Sequence, residues 1–294
     1  MLGIKEFNKK ITSLKNTRKM TKTMKLVSAS KFKRAHKAQL SAEVYAQKLT
    51  ELMGRLSGSG ANHPLLKSKK AVTKSLVVLF TSDKGLCGGF NNNLIRKVRH
   101  WVVDNPYKYT NIGMSFCGRR GYMSFRRTAK INKYYENITM KPAFADAQKV
   151  AQDITEDFMM GNYEEIYLAY NRFDGPLTQT PVIEKILPLD ASVFTKNIKA
   201  SGETLSKTGA TYEYEPEEKE LLYFIIPKFL NFKIFFTLLE NAAGEHGARM
   251  SAMDKASKNT GDLIDRYTLL RNRARQAAIT TELIEIISGA EALK

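Results

Sequence analysis

Cysteine is nearly absent: Cys87 and Cys117 are the only two in 294 residues. Two thiols cannot staple a disulfide scaffold, and they lack the clustered Cys or His companions of a structural zinc site, which fits a reducing, cytoplasmic compartment. Proline is confined, since all eight lie between Pro64 and Pro227 and leave the first 63 and last 67 residues free of the strongest helix breaker. Histidine is sparse: His36, His63, His100 and His246 stand apart, with no HExxH or other metal-ligand spacing. The start, Met1-Leu2-Gly3-Ile4-Lys5-Glu6-Phe7, has no uninterrupted apolar stretch and no small-residue cleavage site, so no secretory signal is expected. A membrane span is not expected either, because the most apolar stretch, Leu221 to Leu239, is interrupted by Pro227, Lys228, Asn231 and Lys233.

With 43% hydrophobic and 10% aromatic residues the chain can bury a core, which excludes wholesale disorder and collagen-like or low-complexity architectures. Positive charge is abundant and unevenly spread. The formal net charge is +18; residues 1–56 hold 14 Lys or Arg against three acids, residues 57–212 hold 22 against 13, and residues 213–294 hold 11 against 13. The first arm is a basic rod that should seek an acidic partner.

Both proline-free arms carry a helical stripe. In the first, Ile4, Phe7, Ile11 and Leu14 step by three and four, the register continues through Arg18, Thr21, Lys25 and Ser28, and it returns to Phe32, Ala35, Ala42, Ala46, Leu49, Met53 and Leu56. In the last, the spacing joins Phe235, Leu239, Ala242, His246, Arg249, Met253, Ala256, Thr260, Leu263, Tyr267, Leu270, Ala274, Ala277, Thr281 and Ile284. A helix of the first arm's length would run about 84 Å, against a radius of gyration of about 19 Å for a compact chain of this size. An antiparallel coiled coil within the chain covers both stripes, with Ala and Ser at the seam allowing close approach; an ordinary helical bundle is the alternative. The arms differ in length, with Ser57-Gly58-Ser59-Gly60 ending the first, so the C-terminal helix should overhang. Its tip carries Ile279, Leu283, Ile284, Ile286 and Ile287, apolar surface that another molecule must cover.

The middle reads as alternating strands and helices. Leu76 to Phe80 is a short apolar run before a Gly-rich loop, followed by a helix from Leu94 to Val103, a strand from Ile112 to Cys117, a helix from Ala145 to Met160, and strands at Ile166 to Tyr170 and Pro181 to Leu187. This predicts a small parallel or mixed sheet flanked by helices, with no internal repeat. The expected division is residues 1–56 as an N-terminal coiled-coil helix, 57–212 as a Rossmann-like α/β domain, and 213–294 as a C-terminal coiled-coil helix.

No catalytic constellation emerges. The loop Ser82-Asp83-Lys84-Gly85-Leu86-Cys87-Gly88-Gly89-Phe90-Asn91 could hold phosphate on free N–H groups, but its glycines fit neither a P-loop nor the dinucleotide fingerprint, so a structural turn is expected. Cys87 sits near an expected helix N-terminus without a recognisable general base. Glu164-Glu165 and Glu217-Glu218 read as solvated faces. A nucleic-acid binder would interleave stacking aromatics or separate its basic region from a zipper, and the first arm does neither.

The two arms and the Gly-rich loop together resemble the gamma subunit of F-type ATP synthase, the central rotor stalk, in its bacterial form. The resemblance rests on Thr17-Arg18-Lys19-Met20-Thr21-Lys22 and Met24-Lys25-Leu26-Val27-Ser28-Ala29-Ser30-Lys31, on Ser82 to Asn93, on Ala248-Arg249-Met250-Ser251-Ala252-Met253, and on Ala274-Arg275-Gln276-Ala277-Ala278-Ile279-Thr280-Thr281-Glu282-Leu283 through Ser288-Gly289-Ala290. It implies an antiparallel coiled coil of the two terminal helices inside a ring of three alpha and three beta subunits. A Rossmann-like domain would sit at the base, beside epsilon and the membrane c-ring. It implies no catalytic, cofactor or metal residue in this chain: the rotor couples ion translocation through the c-ring to sequential change at three catalytic beta subunits, and regulates ATPase activity. By the same resemblance Met20, Lys22, Met24, Lys25, Lys31, Arg275 and Gln276 would meet the beta subunits, and Ile279, Leu283, Ile284, Ile286 and Ile287 would form the bearing tip. Tyr212, Tyr214 and Glu215 are assigned to the base. Neither nucleic acid nor a small-molecule substrate is expected. The absence of an Arg/Ser-rich transit segment and of the plastid cysteine pair points to the cytoplasmic face of a bacterial membrane, with no thiol switch. Two other classes stay open on the residues alone, a nucleotide-dependent enzyme built on the middle domain and a basic coiled-coil nucleic-acid protein.

Overall fold

A computed structural model describes residues 3–56, 63–69, 72–105, 108–190, 215 and 218–292. The expected turn at Ser57 to Gly60 lies outside these, as do Tyr212 and Tyr214. The chain forms two compact units, one of Met1–Ala29 with Arg249–Lys294 and one of Ser30–Ala248. Two long helices, α1 (Ile4–Leu56) and α5 (Glu218–Ala292), contribute to both.

The larger unit holds a five-stranded sheet of β1 (Lys74–Phe80), β2 (Asn111–Cys117), β3 (Lys130–Tyr135), β4 (Glu165–Phe173) and β5 (Gln179–Leu187), in the order β3-β2-β1-β4-β5. The first four are mutually parallel and β5 is antiparallel to β4. Helices α2 (Phe90–Asp104), α3 (Arg119–Phe125) and α4 (Phe144–Met159) connect them. The pleat of β1 divides the core. Val77 and Leu79 face Leu94, Ile95, Val98 and Phe125 of α2 and α3. Leu76, Val78 and Phe80 face the opposite way, into a larger cluster with Val150 and Ile154 of α4, Met53 and Leu56 of α1, and Leu222, Ile226 and Leu230 of α5.

Three features depart from the sequence expectation. The sequence does not announce strand β3 or helix α3: β3 is a polar edge strand, Lys-Ile-Asn-Lys-Tyr-Tyr, with Tyr135 its one buried residue, and α3 is only seven residues long. Helix α5 begins nine residues before Pro227 and runs through it, although proline should have marked its start. The compensation is burial. Leu222, Ile226, Leu230, Ile234 and Leu238 recur every four residues and are at most 1% exposed, and packing on this scale exceeds the roughly 3 kcal/mol penalty of an internal proline. The same burial accounts for the apolar character of α5, which is long and apolar enough to meet a length-and-hydropathy test for a membrane span.

Within the larger unit α1 and α5 also pack side by side: the Tyr45 and Phe232 rings lie 4.4 Å apart, and Phe32 and His36 gather around Phe173 at the end of β4. Gln39 is buried and held by His36 Nδ1 at 3.2 Å. An apolar template skips it because glutamine does not score as core.

Candidate functional site

In the smaller unit the two helical segments run antiparallel, since their partners proceed in opposite order. The Phe7 ring lies 6.3 Å from Tyr267, Asn8 accepts from Arg271 at 3.5 Å, Arg18 packs on Gly261, and Lys25 reaches Asp254. A Cβ at residue 261 would stand 3.3 Å from the Arg18 guanidinium, so glycine is what lets that side chain lie flat across the partner helix.

The seam changes character along its length. Phe7 and Ile11 bury an apolar end, and further along the buried positions are Thr21, Ser28, Arg249, Met253 and Thr260. The Thr21 hydroxyl donates to the Arg18 carbonyl at 3.0 Å and the Thr260 hydroxyl to the Ala256 carbonyl at 2.6 Å. Each is satisfied inside its own helix, so it can be buried between helices without a cross-partner. Past Thr260 the stripe passes through Ile264, which is buried, and not through Leu263 or Leu270, which are 40% and 36% exposed. A helix of 3.6 residues per turn drifts off a strict heptad, and over several turns the drift moves the seam by one residue.

Lys25 is a seam residue as much as a surface one. Its Nζ donates to Asp254 Oδ1 at 2.6 Å, with Lys258 also 3.4 Å from that carboxylate. The hydrogen bond from Lys25 is the main reason that the Asp254 carboxyl titrates below the usual range. Asp254 is the member of this cluster that the sequence reading did not single out, and the antiparallel register, which sets residue 254 opposite residue 25, is the signal that finds it.

The other sequence-selected residues fall into groups. Met20 and Lys22 are exposed, Met24 is half-buried, and Lys31 is exposed in the larger unit. Arg275 and Gln276 are exposed on α5. Beyond them every residue from 279 to 290 is exposed, including Ile279, Leu283, Ile284, Ile286 and Ile287 at 49–67%. Glu215, the one described member of the base trio, is exposed.

The Gly-rich loop occupies the C-terminal end of β1, where the chain crosses from β1 to β2 on one side and β4 lies on the other. Open α/β sheets bind ligands in that crevice. Here the crevice is used internally. Asn91 accepts the Ser82 N–H at 2.9 Å and donates to Ser82 Oγ at 2.7 Å. Asp83 accepts from the Arg119 N–H at 2.9 Å and from the Thr139 hydroxyl at 2.7 Å. From α5, Asn241 donates to the Thr81 carbonyl at 3.4 Å, and Gly244 sits against the Phe90 ring. Cys87 is buried with its sulfur 3.2 Å from Asn91 Nδ2, and burial pushes the Cys117 thiol well up. Among the described residues no group of three His, Cys, Asp or Glu side chains could hold a metal.

Comparison with known proteins gives a consistent result. A profile of the family described as ATP synthase matches residues 3–293. The ATP synthase gamma chains of Trichlorobacter lovleyi and Geobacter metallireducens are each 41% identical to this chain, over the full length of both partners. Among solved structures, the central stalk and c-ring assembly of Tetrahymena thermophila mitochondrial ATP synthase includes a chain similar over 81% of this one and 99% of its own length, with 24% identity and a TM-score of 0.58. A chain of the Euglena gracilis mitochondrial ATP synthase, in an assembly of OSCP, F1 and c-ring, is similar over 99% of this chain and 94% of its own, with 19% identity and a TM-score of 0.64. These two likenesses are likenesses of fold.

Proposed function

This chain belongs to the gamma-chain family of ATP synthases, and from that premise we infer how its surfaces divide the work of a rotor. It is the non-catalytic central shaft of a membrane-bound ATP synthase, peripheral to the membrane, serving ATP synthesis and hydrolysis. The observation that carries this is full-length identity to gamma chains at 41%, and the exposed apolar end of α5 is what a shaft that seats in a surrounding ring requires.

In the proposed assembly one copy turns inside three alpha and three beta subunits, with epsilon and the c-ring at its base and on the cytoplasmic face of a bacterial membrane. The shaft is built from residues 1–56 and 213–294, and residues 57–212 form the base domain. Met20, Lys22, Met24, Lys25, Lys31, Arg275 and Gln276 form the surface read by the beta subunits. Ile279, Leu283, Ile284, Ile286 and Ile287 form the bearing, and Tyr212, Tyr214 and Glu215 the contact with epsilon and the c-ring. An asymmetric shaft presents a different face to each of three identical sites. Its angle therefore biases each between states of different nucleotide affinity, which is a coupling free energy carried by contacts.

The test is reconstitution with alpha and beta subunits, followed by assembly of the whole complex in vesicles. One copy per alpha-beta hexamer with activated ATPase is expected. Arg275→Ala and Met24→Lys should weaken ATP-driven proton pumping while the free chain keeps its fold, and unchanged pumping in both would overturn the assignment of the beta-contact surface.

A further inference from the structure

On the α2/α3 face of the sheet, beside the Gly-rich loop, the structure has a groove of about 690 Å³ lined by three arginines. We propose that this groove is a binding site for a phosphate-bearing polyanion, held by Arg96, Arg99 and Arg120. The inference goes beyond the shaft reading and does not depend on it.

Helical spacing builds the site. Asn92, Arg96 and Arg99 fall at i, i+4 and i+7 on α2, and Arg120 and Ser124 fall at i and i+4 on α3, so two short polar rows line the groove and meet where Arg99 reaches Ser124. A volume near 690 Å³ lies inside the range of pockets that enclose small ligands, about 300 to 1,000 Å³. The groove is shallow and open to solvent along one side, so a ligand would lie in it with part of its surface uncovered.

The charge balance points to an anion. No Asp or Glu lines the groove, and among the described residues none of the ion pairs involves Arg96, Arg99 or Arg120. Elsewhere in the chain arginines are neutralised locally, as Arg55 is by Glu51 and Arg172 by Asp174. Solubility alone would spread these cations over the surface, because like charges brought together repel, whereas a bound anion offsets that repulsion.

Two of the three guanidinium groups are also held in place before any ligand arrives. Arg99 Nη2 donates to Ser124 Oγ at 3.0 Å and its guanidinium lies 5.5 Å above the Phe125 ring. Arg96 Nη2 donates to Asn93 Oδ1 at 3.2 Å. Arg120 lies over Gly85, its Nη2 2.8 Å from where a side chain there would begin. In Arg96 and Arg99 most of the five N–H donors of the guanidinium remain for a ligand. Several forked donors from two helices suit a chain of phosphates, with several oxygens each, better than a single carboxylate. A nucleoside triphosphate and an inorganic polyphosphate share that chemistry.

The experiment is calorimetric titration of the full chain at 150 mM salt with tripolyphosphate, with ATP, and with an oligoglutamate peptide. One saturable site per chain is expected for the phosphate probes. Arg96→Gln and Arg120→Gln should each weaken it about tenfold or more, and Arg96→Lys, which keeps the charge and loses the fork, should weaken it measurably. Lys149→Gln, an equal charge change on exposed α4, should leave it within about twofold. Thermal melts of all variants check the fold. Tighter binding of ATP than of tripolyphosphate supports a nucleotide as the natural ligand, and equal binding supports the phosphate chain itself. Weak binding without a fixed stoichiometry, an equal loss in Lys149→Gln, or binding of oligoglutamate alone would overturn the proposal.

Discussion

Replacing Glu240 by glutamine should make the chain more stable, and increasingly so as pH rises. Glu240 projects from α5 toward the end of β4 and is only 7% exposed. Among the described residues one hydrogen bond reaches its carboxylate, from the Phe173 N–H at 3.4 Å. Burial dominates and pushes its pKa up to about 7; Phe173, Lys233 and Arg172 pull it down, and Glu184 adds to the rise. Glu165, which the sequence places on a solvated face, exposes as little surface but lies less deep and behaves oppositely: burial raises it, but hydrogen bonds from Tyr109 at 2.5 Å, Tyr167 at 2.7 Å and Lys108 at 2.9 Å hold its pKa below the ordinary value. Between the unfolded pKa near 4.5 and the folded value near 7, the folded chain binds the extra proton at residue 240, so stability falls as pH rises through that window. The accumulated cost is under about 1 kcal/mol at pH 5 and about 3 kcal/mol at pH 8. Glutamine keeps an oxygen for the Phe173 N–H and removes the charge. Urea unfolding followed by far-UV circular dichroism at pH 5, 6.5 and 8 should therefore show the variant's advantage growing by about 2 kcal/mol across the series. A gap independent of pH, or one that closes as pH rises, would refute the reasoning.

Two further substitutions separate fold from assembly. Gly118 has φ of +107° and a Cβ there would lie 2.2 Å from the Thr81 carbonyl oxygen, so Gly118→Ala should cost about 3 kcal/mol or more in the same unfolding assay. Ile284→Asp, on the exposed end of α5, should change the free chain's stability by no more than about 0.5 kcal/mol while reducing its incorporation into the alpha-beta hexamer, measured by size-exclusion chromatography.

The stripes on both arms were legible because their ends are apolar at helical spacing. Phe7, Ile11, Leu49, Met53 and Leu56 are buried as read, and so are the polar members Thr21, Ser28 and Thr260, because the register carried them. A parallel strand buried on both faces shows as a continuous apolar run, which is why β1 stood out, and β2 alternates Ile, Met and Phe with small Gly and Ser. What failed were places where packing overrides local signals. Pro227 sits inside a helix because the residues around it are buried, and β3 forms because β2 offers it a ladder that its own composition does not announce. Gln39 and Ile264 were missed for related reasons, one a polar residue in the seam and one a product of drift from the heptad. Asp254 is legible once the antiparallel register is fixed, whereas the arginines of the α2/α3 groove come together only in three dimensions, from two helices about twenty residues apart.

The contrast between the two ends of the shaft has a physical logic in the proposed assembly. Burying a large aliphatic side chain is worth about 1.5 to 3 kcal/mol, and the five exposed at the tip are about half uncovered or more in the free chain. Covering them gains several kcal/mol, comparable to the net stability of a domain. That attraction is non-directional, so it holds a tip in a socket while favouring no angle, which is what a bearing needs. Charges act differently: the energy of a cation near an acidic partner depends on distance, and in a shaft with unequal faces the distance depends on angle. Met20, Lys22 and Lys25 lie on the segment where the seam mixes polar with apolar residues, Thr21, Ser28, Arg249, Met253 and Thr260, and the Thr21 and Thr260 hydroxyls are satisfied within their own helices. Lys25 already spends its charge on Asp254, so its proposed contribution to torque is to hold the register of the helix pair, while Lys22, like Lys19, is an exposed cation there. Asp254→Asn frees Lys25 from the helix pair and leaves Lys22 untouched: ATP-driven pumping is expected to fall, and unchanged pumping would refute the idea that this register carries torque.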